Sequence, residues 1–400
     1  MEKYQHYDMF IGKLRGKSSM RAVIEGVGAL LGMPVSEGKG RRHRRIVSLV
    51  ILAVFVAFVL FAVQAARAAD WPTKEGDFLV RDFAFKSGEK LGEVRLHYTT
   101  LGTPHRNARG EIDNAVMVLH GTGGSGRNFL VPVFADELYG PGQPLDITRT
   151  FVILPDNIGH GGSSKPSDGL RMAFPHYDYD DMVALQHKLL VDGLGVRKLK
   201  LILGTSMGCM HAFVWGETFP GFAEHLAPFA CNTVALAGRN RMWRKMAIDA
   251  IRADPAWMQG NYATQPVQGL RTVADLLILA GANPMALQAQ YPTREATEKA
   301  LDASFVRASR LDANDALYYI DSSRNYDPSP ALEKITVPLL WVNSADDFIN
   351  PPELGLAEQM VKRMPRARFV LIPASTETRG HGTHTSAKFW KADLAKLLAE

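Results

Sequence analysis

Leu199-Lys200-Leu201-Ile202-Leu203 leads into Gly204-Thr205-Ser206-Met207-Gly208, and Cys209 to Phe219 follows as a segment able to form a helix. This order of strand, tight turn and helix is what a catalytic serine elbow requires. The turn pushes its serine into a strained backbone conformation, and a side chain at either flanking glycine would collide with the neighbouring strand or helix. Ser206 then stands at the carboxyl edge of a sheet with its hydroxyl free to attack a carbonyl. A bare Gly-x-Ser-x-Gly in a chain with 35 glycines is equally well a plain turn, so partners have to be found.

Both appear downstream, in the order serine, acid, histidine that an α/β-hydrolase sheet imposes. Val337 to Val342 reads as a buried strand, and Asn343-Ser344-Ala345-Asp346-Asp347 is the loop leaving it. Asp347 lies four residues before Pro351, which favours it as the acid, with Asp346 in reserve. The strand Ala367 to Ile372 ends in a loop that contains Gly380-His381-Gly382-Thr383-His384. His381 is the candidate base, and His384 is expected to start the last helix. In this arrangement His381 takes the Ser206 proton while Asp347 fixes the tautomer and the charge, and an acyl-serine forms. The buried strand Ala115 to Leu119 runs into His120-Gly121-Thr122-Gly123-Gly124. The backbone N–H of Thr122 is therefore expected to join that of Met207 as an oxyanion hole, with His120 fixing the loop. A phosphate cradle is disfavoured, because the Lys-Ser or Lys-Thr pair of a P-loop is missing.

Together with Trp215, Phe219-Pro220, Asp254-Pro255-Ala256-Trp257-Met258-Gln259-Gly260-Asn261-Tyr262 and Pro351-Pro352, these residues resemble the homoserine O-acetyltransferase-like group of the α/β-hydrolase superfamily. The resemblance covers roughly residues 75–400. It implies acyl transfer through a serine in a deep tunnel under a helical lid, with acetyl-CoA as donor and homoserine as acceptor. Two stretches depart from it. Asp156-Asn157-Ile158-Gly159-His160-Gly161-Gly162-Ser163-Ser164-Lys165-Pro166 is similar to the loop of ester and epoxide hydrolases. Where the resemblance implies an arginine for the homoserine carboxylate, this chain has Ile248, with Arg244 and Arg252 as substitutes.

The expected architecture is an α/β-hydrolase fold, a mostly parallel central sheet with helices on both faces and an inserted helical lid. Strands are expected near Arg95 to Thr99, Val116 to Leu119, Phe151 to Leu154, Leu199 to Leu203, Leu226 to Ala230, Val337 to Val342 and Phe369 to Ile372. Asp181 to Val191 carries a helical apolar face ahead of the nucleophile strand. The core takes residues 70–232 and 333–400. The lid takes 233–332, with amphipathic helices over Arg241 to Arg252 and Ala300 to Asp312. Met242, Trp243, Met246, Trp257, Met258 and Tyr262 read mainly as lid core, with an acyl pocket as the alternative use. Cys209 and Cys231 are expected to be small buried thiols, a bridge being the other reading in an oxidising compartment.

Residues 1–69 read as a separate leader. An apolar run within 46–64, preceded by Arg41-Arg42-His43-Arg44-Arg45 and followed by Ala65-Ala66-Arg67-Ala68-Ala69, matches a secretion signal. An uncleaved membrane anchor is the alternative, since the run is just long enough to span a bilayer. Of 46 basic and 41 acidic residues, 11 and 4 fall in the leader, leaving 35 and 37, so the remainder is not basic. Nucleic acid is thereby excluded as an expected partner. No cofactor is expected, and no metal, because His381 and His384 find no third ligand at suitable spacing. Acetyl-CoA is cytoplasmic, so an exported enzyme of this build hands its acyl group to water. The expectation is an exported (periplasmic or secreted) serine hydrolase of a carboxylic ester, amide or lactone. An acyltransferase using acyl-CoA and a small hydroxyl acceptor is the alternative. A non-catalytic binding protein would show a missing triad member, and none is missing. The oligomeric state is left open, a dimer included.

Overall fold

The computed structural model describes residues 71–308 and 310–400. The leader and its apolar run lie outside the described residues.

Eight strands form one sheet in the order β1-β2-β4-β3-β5-β6-β7-β8. They are β1 (Thr73–Ala84), β2 (Lys90–Leu101), β3 (Ala115–Leu119), β4 (Phe151–Pro155), β5 (Leu199–Thr205), β6 (Ala223–Phe229), β7 (Leu339–Ser344) and β8 (Ala367–Ile372). β2 pairs antiparallel with both β1 and β4. Every other pairing is parallel. In β3 and β4 alternate residues serve two cores: Met117, Leu119, Phe151 and Ile153 face one side, and Val116, Val118, Val152 and Leu154 the other. That is why these strands read as unbroken apolar runs.

The helices, in chain order, are α1 (Pro132–Leu138), α2 (Tyr179–Lys188), α3 (Met207–Thr218), α4 (Gly238–Ala253), α5 (Val267–Gly281), α6 (Pro284–Gln290), α7 (Arg294–Ala308), α8 (Ala313–Asp321), α9 (Leu356–Met360) and α10 (Lys391–Leu398). α1 and α10 cover one sheet face. α2 and α3 cover the other. α4 to α8 follow β6 with no strand between them among the described residues, and α4, α5 and α8 build a third core. In α4 the buried residues Trp243, Arg244, Ala247, Ile248 and Ile251 recur at helical spacing. Gly269 lets α5 cross α4 closely, since a Cβ there would lie 2.7 Å from the Ala250 oxygen and the Ile251 Cα.

Several expectations are corrected. β1 was not expected, and its neighbour β2 is longer than the expected Arg95 to Thr99. The helix expected over Ala300 to Asp312 ends at Ala308. Asp312 instead caps α8, accepting from the N–H groups of Asn314 and Asp315. Met242, Met246 and Met258 are 60%, 54% and 63% exposed, so they are not lid core. Trp243 is buried as expected of a core residue. Cys209 and Cys231 are joined in a disulfide and are not free thiols. The C-terminal end of β6 brings Cys231 against the first turn of α3, with Cα atoms 5.9 Å apart, which is bonding range.

Candidate active site

The elbow depends on its two glycines. A Cβ on Gly204 would stand 1.9 Å from the Gly208 carbonyl oxygen, and one on Gly208 would stand 2.1 Å from the Leu119 oxygen. Ser206, between β5 and α3, has φ 55° and ψ −111°, a region that costs a non-glycine residue of order 1–3 kcal/mol. The turn is held from both sides: Ser206 N–H donates to the Phe229 oxygen at 2.9 Å, and Gly208 N–H to the His120 oxygen at 3.0 Å.

Asp347 and His381 meet this serine from separate loops. His381 Nε2 lies 2.8 Å from Ser206 Oγ. His381 Nδ1 lies 2.8 Å from Asp347 Oδ2. Asp347 is buried and also accepts from Ile349 N–H, Asn350 N–H and Asn350 Nδ2. Burial by itself raises its carboxyl, but the facing His381 and the Asn350 bonds outweigh burial and hold it below the ordinary carboxylate value. An ionised Asp347 calls for the proton on His381 Nδ1, which leaves the Nε2 lone pair facing the serine hydroxyl.

Asp346, the reserve acid, hydrogen-bonds no histidine among the described residues. It accepts from Ser344 Oγ, from Thr378 Oγ1 at 2.7 Å, from Gly380 N–H at 3.2 Å and from Asn283 Nδ2 at 2.5 Å. His384 does not begin the last helix. It lies in the short helical turn Gly380–Thr385, and its ring packs edge-on to that of His381, centroids 5.2 Å apart. Burial and the neighbouring His381 charge push it down to about 3, so it is neutral.

The turn bearing Thr122 approaches the serine closely: a Cβ on Gly121 would meet Ser206 Cβ at 3.3 Å. His120 fixes this turn, as expected. Its Nε2 accepts from Asn157 N–H at 3.1 Å, so Nδ1 carries the proton and donates to the Gly121 oxygen at 2.9 Å. The loop that follows β4 braces the same turn from behind. Asp156 accepts from Gly126 N–H at 2.7 Å and from Gly162 N–H at 2.8 Å. Deeper in, Gln186 joins Asn157, His211 and the Trp215 indole, a network that no sequence signal marked. Tyr319 of α8 roofs the turn, 3.5 Å from where a Gly123 Cβ would sit.

A model for the alpha/beta hydrolase fold matches residues 114–376. The chain belongs to the α/β-hydrolase fold family. Within it the chain joins the homoserine O-acetyltransferase-like group, and is an enzyme of the hydrolase and acyltransferase kind. It is 30% identical over 300 residues to a probable acyltransferase of Methanothermobacter thermautotrophicus, covering 74% of this chain and 89% of that protein. It is 29% identical over 328 residues to a homoserine O-acetyltransferase of Chloroherpeton thalassium, covering 74% and 81%. The acetyl esterase MekB superposes with a TM-score of 0.72 at 22% identity, over 82% of this chain and 97% of that one. Transferases and an esterase thus share one scaffold.

Ile248 is buried, and Arg252 is exposed. Arg244 is 2% exposed, donates from Nε to Asn240 and from Nη1 to the Ile320 carbonyl, and has no ion pair among the described residues. The Tyr179 hydroxyl sits beside Arg244, Ser323 and Thr122 without meeting any of them at hydrogen-bond geometry. Beside this region a groove of about 590 Å³ between α4, α8 and the core is lined by Tyr177, Asp181, Ile248, Arg252, Tyr318 and Arg324. Ser206 is not among its walls.

Proposed function

We infer that the chain is an exported serine hydrolase of carboxylic esters, working through Ser206, His381 and Asp347. The observation that carries the reading is the pair of 2.8 Å contacts linking serine, histidine and aspartate in series. His381 Nε2 takes the proton as Ser206 Oγ attacks the ester carbonyl. Asp347 stabilises the imidazolium, and Thr122 and Met207 N–H groups receive the oxyanion. The tetrahedral adduct collapses to an acyl-serine, His381 returns its proton to the leaving alcohol, and water repeats the sequence to release the acid.

Two features support water as the acceptor. The Asp156 loop has the residues of hydrolase loops, and it braces the Thr122 turn. The Cys209–Cys231 bridge suits an oxidising compartment, where a CoA thioester is not supplied. Arg244 favours a second reading, acyl transfer to a small hydroxyl acceptor bearing a carboxylate, because a buried guanidinium with no direct ion pair among the described residues is costly until an anion meets it. The test is release of p-nitrophenol from short and medium acyl esters, beside acetyl-CoA consumption with homoserine or serine, each against Ser206→Ala. Ester turnover without CoA release supports the hydrolase, acceptor-dependent CoA release supports the transferase, and full turnover by Ser206→Ala removes both.

A further inference from the structure

Asn283 is fully buried at the corner between α5 and α6, and it uses both ends of its amide on different parts of the molecule. Its Oδ1 caps α6, accepting from Met285 N–H at 2.7 Å and Ala286 N–H at 3.3 Å. Its Nδ2 points the other way, into acceptors from the two loops that hold the acid and the histidine. These are Asp346 Oδ2 at 2.5 Å, the Ser375 oxygen at 2.9 Å, the Thr378 oxygen at 3.1 Å and Thr378 Oγ1 at 3.2 Å. Asp346 is bonded in chain to Asp347, and it also accepts from Gly380 N–H, the residue before His381. The corner is jammed against that same residue, since a Cβ on Gly380 would stand 2.9 Å from the Ala282 carbonyl.

One side chain of the helical insert therefore ties together both loops that carry the partners of Ser206. We propose that Asn283, acting through Asp346 and Gly380, is a positioning residue that sets the His381 ring between Asp347 and Ser206, an inference that rests on the serine-hydrolase reading. It touches no reacting atom. Its effect is geometric: loss of the Nδ2 donor lets the Asp346 and Gly380 loops separate, and the two His381 contacts lengthen together. The insert then does more than cover the site, because its seating on the core decides whether the base is aligned.

Asn283→Asp separates the two ends of the amide. Aspartate caps a helix as well as asparagine does, so α6 keeps its start, but the donor is replaced by an acceptor facing Asp346. In the full chain, the expected result is a fall in ester kcat of about 10²-fold with KM unchanged, the scale of a small misplacement of a reacting group. The acid limb of the kcat/KM pH profile moves, and the low-field Nδ1 proton resonance of His381 is lost. Thr378→Val, which removes one hydroxyl of the same cluster, gives a smaller change in the same direction and covers the case in which Asn283→Asp does not fold. A folded Asn283→Asp, or failing that Thr378→Val, with wild-type kcat and an intact His381 resonance overturns the proposal. Wild-type protein that neither turns over esters nor reacts at Ser206 with a fluorophosphonate defeats the hydrolase reading instead, and the His381 resonance still decides the role of Asn283.

Discussion

Breaking the Cys209–Cys231 bridge gives the most quantitative test of the fold. The two cysteines are 22 residues apart in sequence, and both are buried. Closing a loop of that size removes about 3.4 kcal/mol of chain entropy from the unfolded state near room temperature. Unfolding entropy is about 2.1 cal/mol/K per residue, so a domain of ~330 residues loses about 5 °C in Tm for that free energy. Alanine is the right replacement, because serine would bury an unpaired hydroxyl as well. Calorimetry under non-reducing conditions should give nearly the same loss for Cys209→Ala, for Cys231→Ala and for the double variant, because either change alone opens the loop. Independent effects that simply add would refute the bridge, as would two thiols that alkylate in the unfolded wild-type protein before reduction. Ester turnover well below the transition should change little. The backbone bonds from Ser206 to Phe229 and from Gly208 to His120 hold the elbow without the sulfurs.

Gly208→Ala should yield little soluble protein or cost more than about 3 kcal/mol, read by thermal unfolding, because its Cβ meets a strand carbonyl at 2.1 Å that cannot move aside. Asp347→Asn should keep the fold and lower kcat by about 10⁴-fold in ester hydrolysis, through the wrong His381 tautomer. Burial raises the Glu217 carboxyl to about 7 from 4.5, so the folded protein binds that proton more tightly than the unfolded one. Its contribution to stability is full below 4.5 and is lost as pH rises to about 7. Glu217→Gln should therefore stabilise by about 1–2 kcal/mol near pH 8, discounted for partial exposure, and not in acid, as pH-dependent melting would show.

What could be read from the sequence follows from which residues have no alternative. The elbow glycines were legible because backbone stands where their side chains would be. β3 and β4 were legible because burial on both faces demands continuous apolar residues. β1 was not: Thr73–Ala84 has only Val80 and Phe83 buried, and Lys74, Glu75, Asp77 and Arg81 disguise it as a loop. It takes strand geometry from eleven residues of β2 paired beside it, a long-range partner that local pattern cannot reveal. Buried cysteines and bridged cysteines have the same sequence surroundings, and only the meeting of β6 with α3 distinguishes them. The methionines of α4 mimic a core stripe because Met242 and Met246 are one turn apart, yet the buried face of that helix runs through Trp243, Ala247 and Ile251. Asn283 went unread in the sequence, because the partners of its Nδ2 lie 63 to 95 residues away.

Ser206 and His381 are separated by 175 residues, and β7 and β8 must both join the sheet before the base reaches the serine. A chain still emerging from the ribosome, or one cut short before β8, carries Ser206 without His381 beside it. Catalytic competence is thus the last property this molecule acquires, and its appearance reports that the whole sheet has closed. Chemistry that waits on so late a partner stays silent for as long as the chain remains unfolded.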